Sequence, residues 1–282
     1  MANPLHLAVA IAGRTDGELA KVFAGLGNSQ HPRGQGLAAY RTARRGLRDV
    51  VQHGGRVGDA QEVLGQWRMA LRTCVEAGLR QAQTVGQENA NRQLEVYGLE
   101  GAPAIDLVSE RYQALEAVLA RADAQAANVR SLLAMGADAA LILGDEERTG
   151  ALRPGEVLGA AAFWSSALLW EAFQAVTLAR GRSRPFEKQV VAGLDARTTD
   201  CCLRAHGQVR PLDERFHLVG TPRYADWLDW PPFHYWCRSS VALYLAKYDD
   251  GLGERMRQAA RQMLDERARG VWRDPDPADA FG

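Results

Sequence analysis

The chain has 282 residues, and its 34 basic side chains balance 34 acidic ones. With no net charge, no overall field draws it to nucleic acid or a membrane surface, so such contacts would have to come from a local patch. Its composition, 46% hydrophobic and 24% charged, is that of a soluble globular protein long enough to bury a core. Four cysteines are too few for a disulfide framework, and three of them crowd beside histidines. That usage favours a reducing compartment and a metal over secretion and bridges. The first residues lack the basic start of a signal peptide. The longest apolar stretch, 157–179, carries Ser165, Ser166, Glu171 and Gln174, which suits a buried helix better than a membrane span.

In chain order, 16–26 reads as a helix stopped by Gly27-Asn28, and 29–36 as a Gly/Pro loop. A helix over 37–51 follows, with Leu37, Tyr40, Leu47 and Val51 on one side and Arg41, Arg44, Arg45 and Arg48 on another. The basic stripe is read as a solvated face. From 59 to 89, Leu64, Trp67, Leu71, Cys74, Val75, Leu79 and Ala82 recur at spacings of mostly three and four, the mark of an amphipathic helix. Cys74 lies on that apolar face as a small core residue.

Ile105, Val108, Tyr112, Leu115, Leu119, Ala122, Ala126, Val129 and Leu133 form the cleanest periodic signal. It is a coiled-coil seam on a helix about 40 Å long, able to dock another helix of this chain or of a partner. A short apolar stretch at 132–143 leads into a polar turn, and 157–178 is a helix apolar nearly all round. Arg180, Arg182 and Arg184 end it. A strand is expected over 186–194, a short strand or helix turn over 241–248, and a last amphipathic helix over 252–269. The acidic, proline-rich tail from Asp274 reads as disordered.

The expected fold class is therefore α+β and predominantly α-helical. Long helices fill the N-terminal half, and a small α+β knuckle, stabilised by zinc, lies in the C-terminal half. The expected division is a helical interaction domain at 1–150, an α+β domain at 151–250, and a helix with tail at 251–282.

Chemistry concentrates between Asp195 and Ser240. Cys202 and His206 are four apart, His234 and Cys237 three apart, and 27 residues lie between the two pairs. Two thiolates and two imidazoles at such spacing can meet at one tetrahedral zinc ion. Cys201 is an alternative to Cys202. The competing reading is a set of core residues with histidines bonded to backbone carbonyls. Asp195 can cap the turn that follows it, and Arg197 can pair bidentately with a carboxylate.

The two motifs, Asp195-x-Arg197-Thr198…Cys202-x-x-x-His206-Gly207 and Pro231-Pro232-x-His234-x-x-Cys237-Arg238-Ser239, resemble those of the C-terminal domain of phage Mu F-like minor head proteins. The resemblance covers about residues 155–245. It departs at Thr199-Asp200, where a Cys-Pro often stands, at Ser239, which replaces a cysteine, and at Phe163-Trp164-Ser165, where the family commonly has Arg-Thr-Glu. It implies a virion protein made in the host cytoplasm and placed at the portal vertex. Such a protein acts in head morphogenesis, DNA packaging or DNA delivery and has no established reaction. The implied partners are the portal protein or major capsid protein and double-stranded DNA, with no membrane. Two rival classes remain at this stage. One is a metal-dependent nuclease in which His206, His217 or His234 activates water. The other is a toxin or effector carrying the same knuckle.

Overall fold

The computed structural model describes residues 3–27, 33–144, 150–181 and 184–270. The disordered tail expected from Asp274, most of the polar turn after Leu143 and Arg182 lie outside the described residues. Among them the protein is predominantly α-helical with two small antiparallel sheets. No helix among them is long and apolar enough to cross a membrane.

The chain forms two compact units, interleaved along the sequence, whose boundaries fall inside three of its helices. One comprises 20–83 and 106–168, the other 1–19, 84–105 and 169–282.

The first unit is helical. It holds the C-terminal part of α1 (Pro4–Leu26), α2 (Gln35–Gln52), most of α3 (Val57–Val96), α4 (Val108–Ala134), the short α5 (Ala139–Leu143) and the first half of α6 (Pro154–Gly181). Every apolar position read from 64 to 82 of α3 is buried, because a stripe repeating at three and four stays on one helix face. The α4 seam is buried from Leu115 to Val129, but Val108 and Tyr112 at its start are exposed. Gln125 on α4 accepts from the Arg153 amide (2.9 Å) and donates to the Arg153 carbonyl (3.1 Å), securing the entry to α6. On α2, Arg41, Arg45 and Arg48 are exposed as expected of a solvated face. Arg44 differs: it donates to the carbonyls of Leu143 and Gly144, supplying cation and donors at the C-terminus of α5.

The second unit carries the sheets. β1 (Glu187–Val191) is central, flanked by β2 (Val209–Pro211) and β5 (Ser240–Tyr244), all antiparallel. The hairpin of β3 (Phe216–His217) and β4 (Trp227–Leu228) stands separately, with α7 (Asp200–Ala205) before β2 and α8 (Leu252–Ala268) at the end. Where α6 crosses α3, a Cβ at Gly86 would overlap the Leu169 carbonyl oxygen, so only glycine permits that approach.

Among the described residues no strand pairs with the outer edge of β5, and its five residues are all buried. Unpaired backbone groups there would carry a full desolvation penalty. α3 removes it with side chains. The Gln93 carboxamide accepts from the Leu243 amide (2.6 Å) and donates to the Val241 carbonyl (3.1 Å), and Tyr97 donates to the Leu243 carbonyl (2.7 Å). Gln93 thus stands in for a fourth strand. Replacing it by leucine strands two buried backbone groups, and chemical denaturation of Gln93→Leu is expected to show a loss of about 2 to 4 kcal/mol.

Candidate metal centre

After β1 the chain turns through 192–199 into α7. Asp195 shapes that turn: its Oδ1 accepts from the Arg197 amide (2.9 Å) and the Thr198 hydroxyl (3.1 Å). Thr198 also donates to the Gly193 carbonyl (2.6 Å). The same carboxylate then receives one guanidinium nitrogen of Arg238, which lies 2.8 Å from both of its oxygens. The other terminal nitrogen of Arg238 reaches Asp16 on α1 at 2.9 Å. Burial raises the pKa of Asp16 despite Arg238, while Arg238 and Thr198 hold Asp195 below its ordinary value against its own burial. Arg197, expected to pair bidentately, reaches Asp195 only at 3.5 Å and is half exposed. Arg238 makes the close double contact in its place.

Thr199 holds the N-cap position of α7 without a side-chain capping bond, and Cys201 and Cys202 fall in the first turn, side by side and buried. The second motif arrives from the other side. Pro231-Pro232, joined by a cis peptide bond, precedes buried Phe233 and His234, and Cys237 closes a turn by donating its amide to the His234 carbonyl (3.2 Å). Within that turn Trp236 adopts a left-handed backbone, φ +59°, at a cost of order 1 kcal/mol for a residue with a Cβ.

Cys202 is the hub. Its Sγ lies 3.1 Å from His234 Nε2, 3.8 Å from Cys237 Sγ and 4.0 Å from Cys201 Sγ. The ligand atoms of Cys201, Cys202 and His234 all lie within 4.8 Å of one another, a cluster able to hold a metal ion. His234 Nδ1 donates to the Tyr235 carbonyl at 2.6 Å, which leaves Nε2 as the ligating nitrogen facing the sulfurs. Thr199 Oγ1 meets that nitrogen at 2.9 Å, and Cys201 Sγ contacts the Pro222 carbonyl at 2.7 Å.

The electrostatics ask for a cation. The Cys201 thiol is drawn down to about 5 by its hydrogen bond with Cys202, against burial and helped by His234. Cys237 is held well below its usual value against burial by Cys202 and His234. Cys202 is pushed well above its own value by hydrogen bonds with Cys201 and Cys237, by burial and by their charge. His234 rises to about 10: burial opposes its charge, but hydrogen bonds to Cys201 and Cys237 outweigh it. Crowded sulfurs whose charge is offset by one imidazolium proton are a setting that a divalent cation would neutralise.

Sulfurs bound tetrahedrally at about 2.3 Å from zinc sit about 3.8 Å apart, close to the spacings around Cys202. The sulfur–nitrogen edge is tighter than the roughly 3.5 Å of such a site, a difference within side-chain adjustment. Cys201, Cys202 and His234 could therefore hold a metal ion, with Cys237 beside them at 3.8 Å from the Cys202 sulfur. A crevice of only about 20 Å³ reaches Cys202 and His234 past Thr198, Trp236 and Ser239, with room for a water-sized group and no substrate.

His206 stands outside this cluster. Its Nδ1 accepts from the Ala192 amide at 2.9 Å, joining the end of α7 to the end of β1. A spacing of four from Cys202 shares a helix face where both residues are helical. His206 sits at the C-cap of α7 with its amide still bonded to the Cys202 carbonyl (3.0 Å), so the backbone keeps the helical spacing, and it is the ring's bond with the Ala192 amide that holds it away from the sulfurs. Cys201 occupies the position in the cluster that spacing had given to His206. Gly207 follows in a left-handed conformation, φ +76°, where a Cβ would press on the α8 backbone at Gly253. Of the three histidines open to a water-activating role, only His234 reaches the sulfurs, while His217 stacks on Trp227 at 4.5 Å.

Lys188 carried no sequence signal beyond its place in a strand, yet it is fully buried. Its Nζ donates to the carbonyls of Asp229 (2.7 Å) and Leu212 (3.0 Å) and lies 4.5 Å from the Trp230 ring centre. Burial draws it down to about 8. It joins the β2–β3 turn to the segment that delivers Pro231.

No family model, curated protein or solved structure matches this chain.

Burial holds His206 neutral, depressing its pKa from 6.5 to about 4. Between those values the unfolded chain takes up a proton that the folded one refuses, so stability present above 6.5 falls as pH drops towards 4. Lowering pH from 7 to 5 is expected to cost the wild type about 2 kcal/mol more than His206→Asn, whose side-chain oxygen can still accept from Ala192. Denaturant titrations of both proteins at the two pH values measure the difference.

Proposed function

We propose that this chain is a phage minor head protein of the Mu F-like kind, associated with the portal vertex, and that a structural zinc joins its two motifs. One observation carries the reading: the motifs on which the resemblance rests meet residue by residue. Asp195 of the first pairs with Arg238 of the second, and Cys202 of the first lies against His234 and Cys237 of the second. Residues that resemble a family signature and also converge on one site support a shared structural purpose more strongly than motif order alone. Cys201, Cys202, His234 and Cys237 would hold the ion, and four protein ligands make a closed site whose binding energy is folding energy.

The helical unit would serve the assembly role, with the portal or major capsid protein as partner and double-stranded DNA as cargo. A nuclease reading finds less support. His206 and His217 do not join His234, and the nearby carboxylate of Asp195 is neutralised by Arg238.

Two experiments test the proposal. Metal analysis of protein purified without chelator is expected to find about one zinc per chain, lost in the Cys202→Ser/Cys237→Ser double variant. Folded protein that carries no metal contradicts the zinc assignment. Mass spectrometry of purified proheads and virions is expected to find the chain with the portal protein. Its absence from both particles rejects the head-protein assignment and leaves the zinc assignment standing.

A further inference from the structure

A second polar site lies on the other side of α7, separate from the sulfur cluster. Between α7, β3 and α8 a cleft of about 330 Å³ is walled by Leu203, Val219 and Leu264 and rimmed by Arg204, Arg257 and Arg261. That volume falls at the small end of ligand clefts.

Two features point to an anionic ligand. The first is charge. Glu254 pairs with both Arg257 (2.8 Å) and Arg261 (2.5 Å), holding their guanidinium groups in place, and one carboxylate leaves three cations in excess by two. Arg204 is exposed and has no hydrogen-bond or ion-pair partner among the described residues. The second is a buried donor. His206 is only 6% exposed and lines this cleft. Because its Nδ1 accepts the Ala192 amide, its proton sits on Nε2, which has no partner among the described residues. On the ring edge away from Ala192, that N–H is a fixed donor for a group in the cleft.

The body of the ligand can be read from the opposite wall. The His217 ring lines the cleft and is braced by its stack on Trp227, and both its backbone polar groups are tied by the Gln208 carboxamide (2.8 and 2.9 Å). With Val219, 46% exposed, it offers a flat, partly apolar surface of the kind on which a planar ring packs. A bare inorganic anion would use the cations and leave this wall unused.

We propose that this cleft binds a mononucleotide, its phosphate held by Arg204, Arg257, Arg261 and the His206 Nε2–H, and its base lying against His217 and Val219. The inference stands on the cleft alone and is independent of the zinc and head-protein assignments.

Isothermal titration calorimetry on the full chain tests it with three probes: adenosine monophosphate, inorganic phosphate and adenosine. The monophosphate is expected to bind saturably, about tenfold or more tighter than either fragment. Arg204→Glu, at an exposed residue with no hydrogen bond or ion pair among the described residues, is expected to weaken it at least about tenfold, whereas Arg121→Glu on α4 leaves it unchanged. Absence of saturable binding, equal affinity for the monophosphate and inorganic phosphate, or equal losses in the two variants would each overturn the proposal.

Discussion

The contact of Cys202 with His234 and Cys237 is the constraint on which the motif-bearing unit depends. The segments 193–207 and 231–240 are α7 and irregular turns that bury Leu203, Ala205 and Phe233, Leu203 packing with Ala260 and Met263 of α8. Polar bonds add the register between them. Cys202 draws the second motif to the start of α7, Arg238 locks the same two segments through Asp195, and Arg267 of α8 donates to the carbonyls of Asp195 (2.8 Å) and Thr198 (2.6 Å). These bonds join residues 32 to 72 positions apart in the sequence. The left-handed Trp236 is a cost borne within that arrangement, since it lets His234 and Cys237 face Cys202 from one short turn.

Polar side chains substitute for missing secondary structure throughout this unit. Gln93 and Tyr97 close the bare edge of β5, Gln208 ties β3 through both backbone groups of His217, and Lys188 holds two loops by their carbonyls. A three-stranded sheet is small, and its buried edge would otherwise leave backbone groups unpaired. This explains why so many buried polar residues lie far in sequence from their partners. It also separates the roles of the histidines: His234 belongs to the sulfurs, while His206 and His217 border a cleft lined by arginines.

What the sequence made legible follows from the range of the interactions. The long helices were readable because a period of three to four residues is a local property, and α3 and α6 sit where the apolar stripes placed them. The strand at β1 was readable from Val190 and Val191. Gln93 was not, because its partners lie about 150 positions away and nothing local marks a glutamine as the closure of a strand edge. At the candidate centre, three of the four expected ligands, Cys202, His234 and Cys237, come together. His206 does not, because its ring is taken by the Ala192 amide 14 positions earlier, a partner that the spacing from Cys202 does not reveal. The sequence offers Cys201 as an alternative to Cys202; adjacent residues at a helix start can both face a common point, and here their sulfurs lie 4.0 Å apart.

The central claim is that these four side chains form one metal site of three sulfurs and one imidazole nitrogen. X-ray absorption at the zinc edge of the purified chain tests it most directly. The account predicts a first shell of three sulfurs at about 2.3 Å and one nitrogen at about 2.0 Å. A shell of oxygen and nitrogen donors, or one with two nitrogens and two sulfurs as His206 ligation would give, contradicts it.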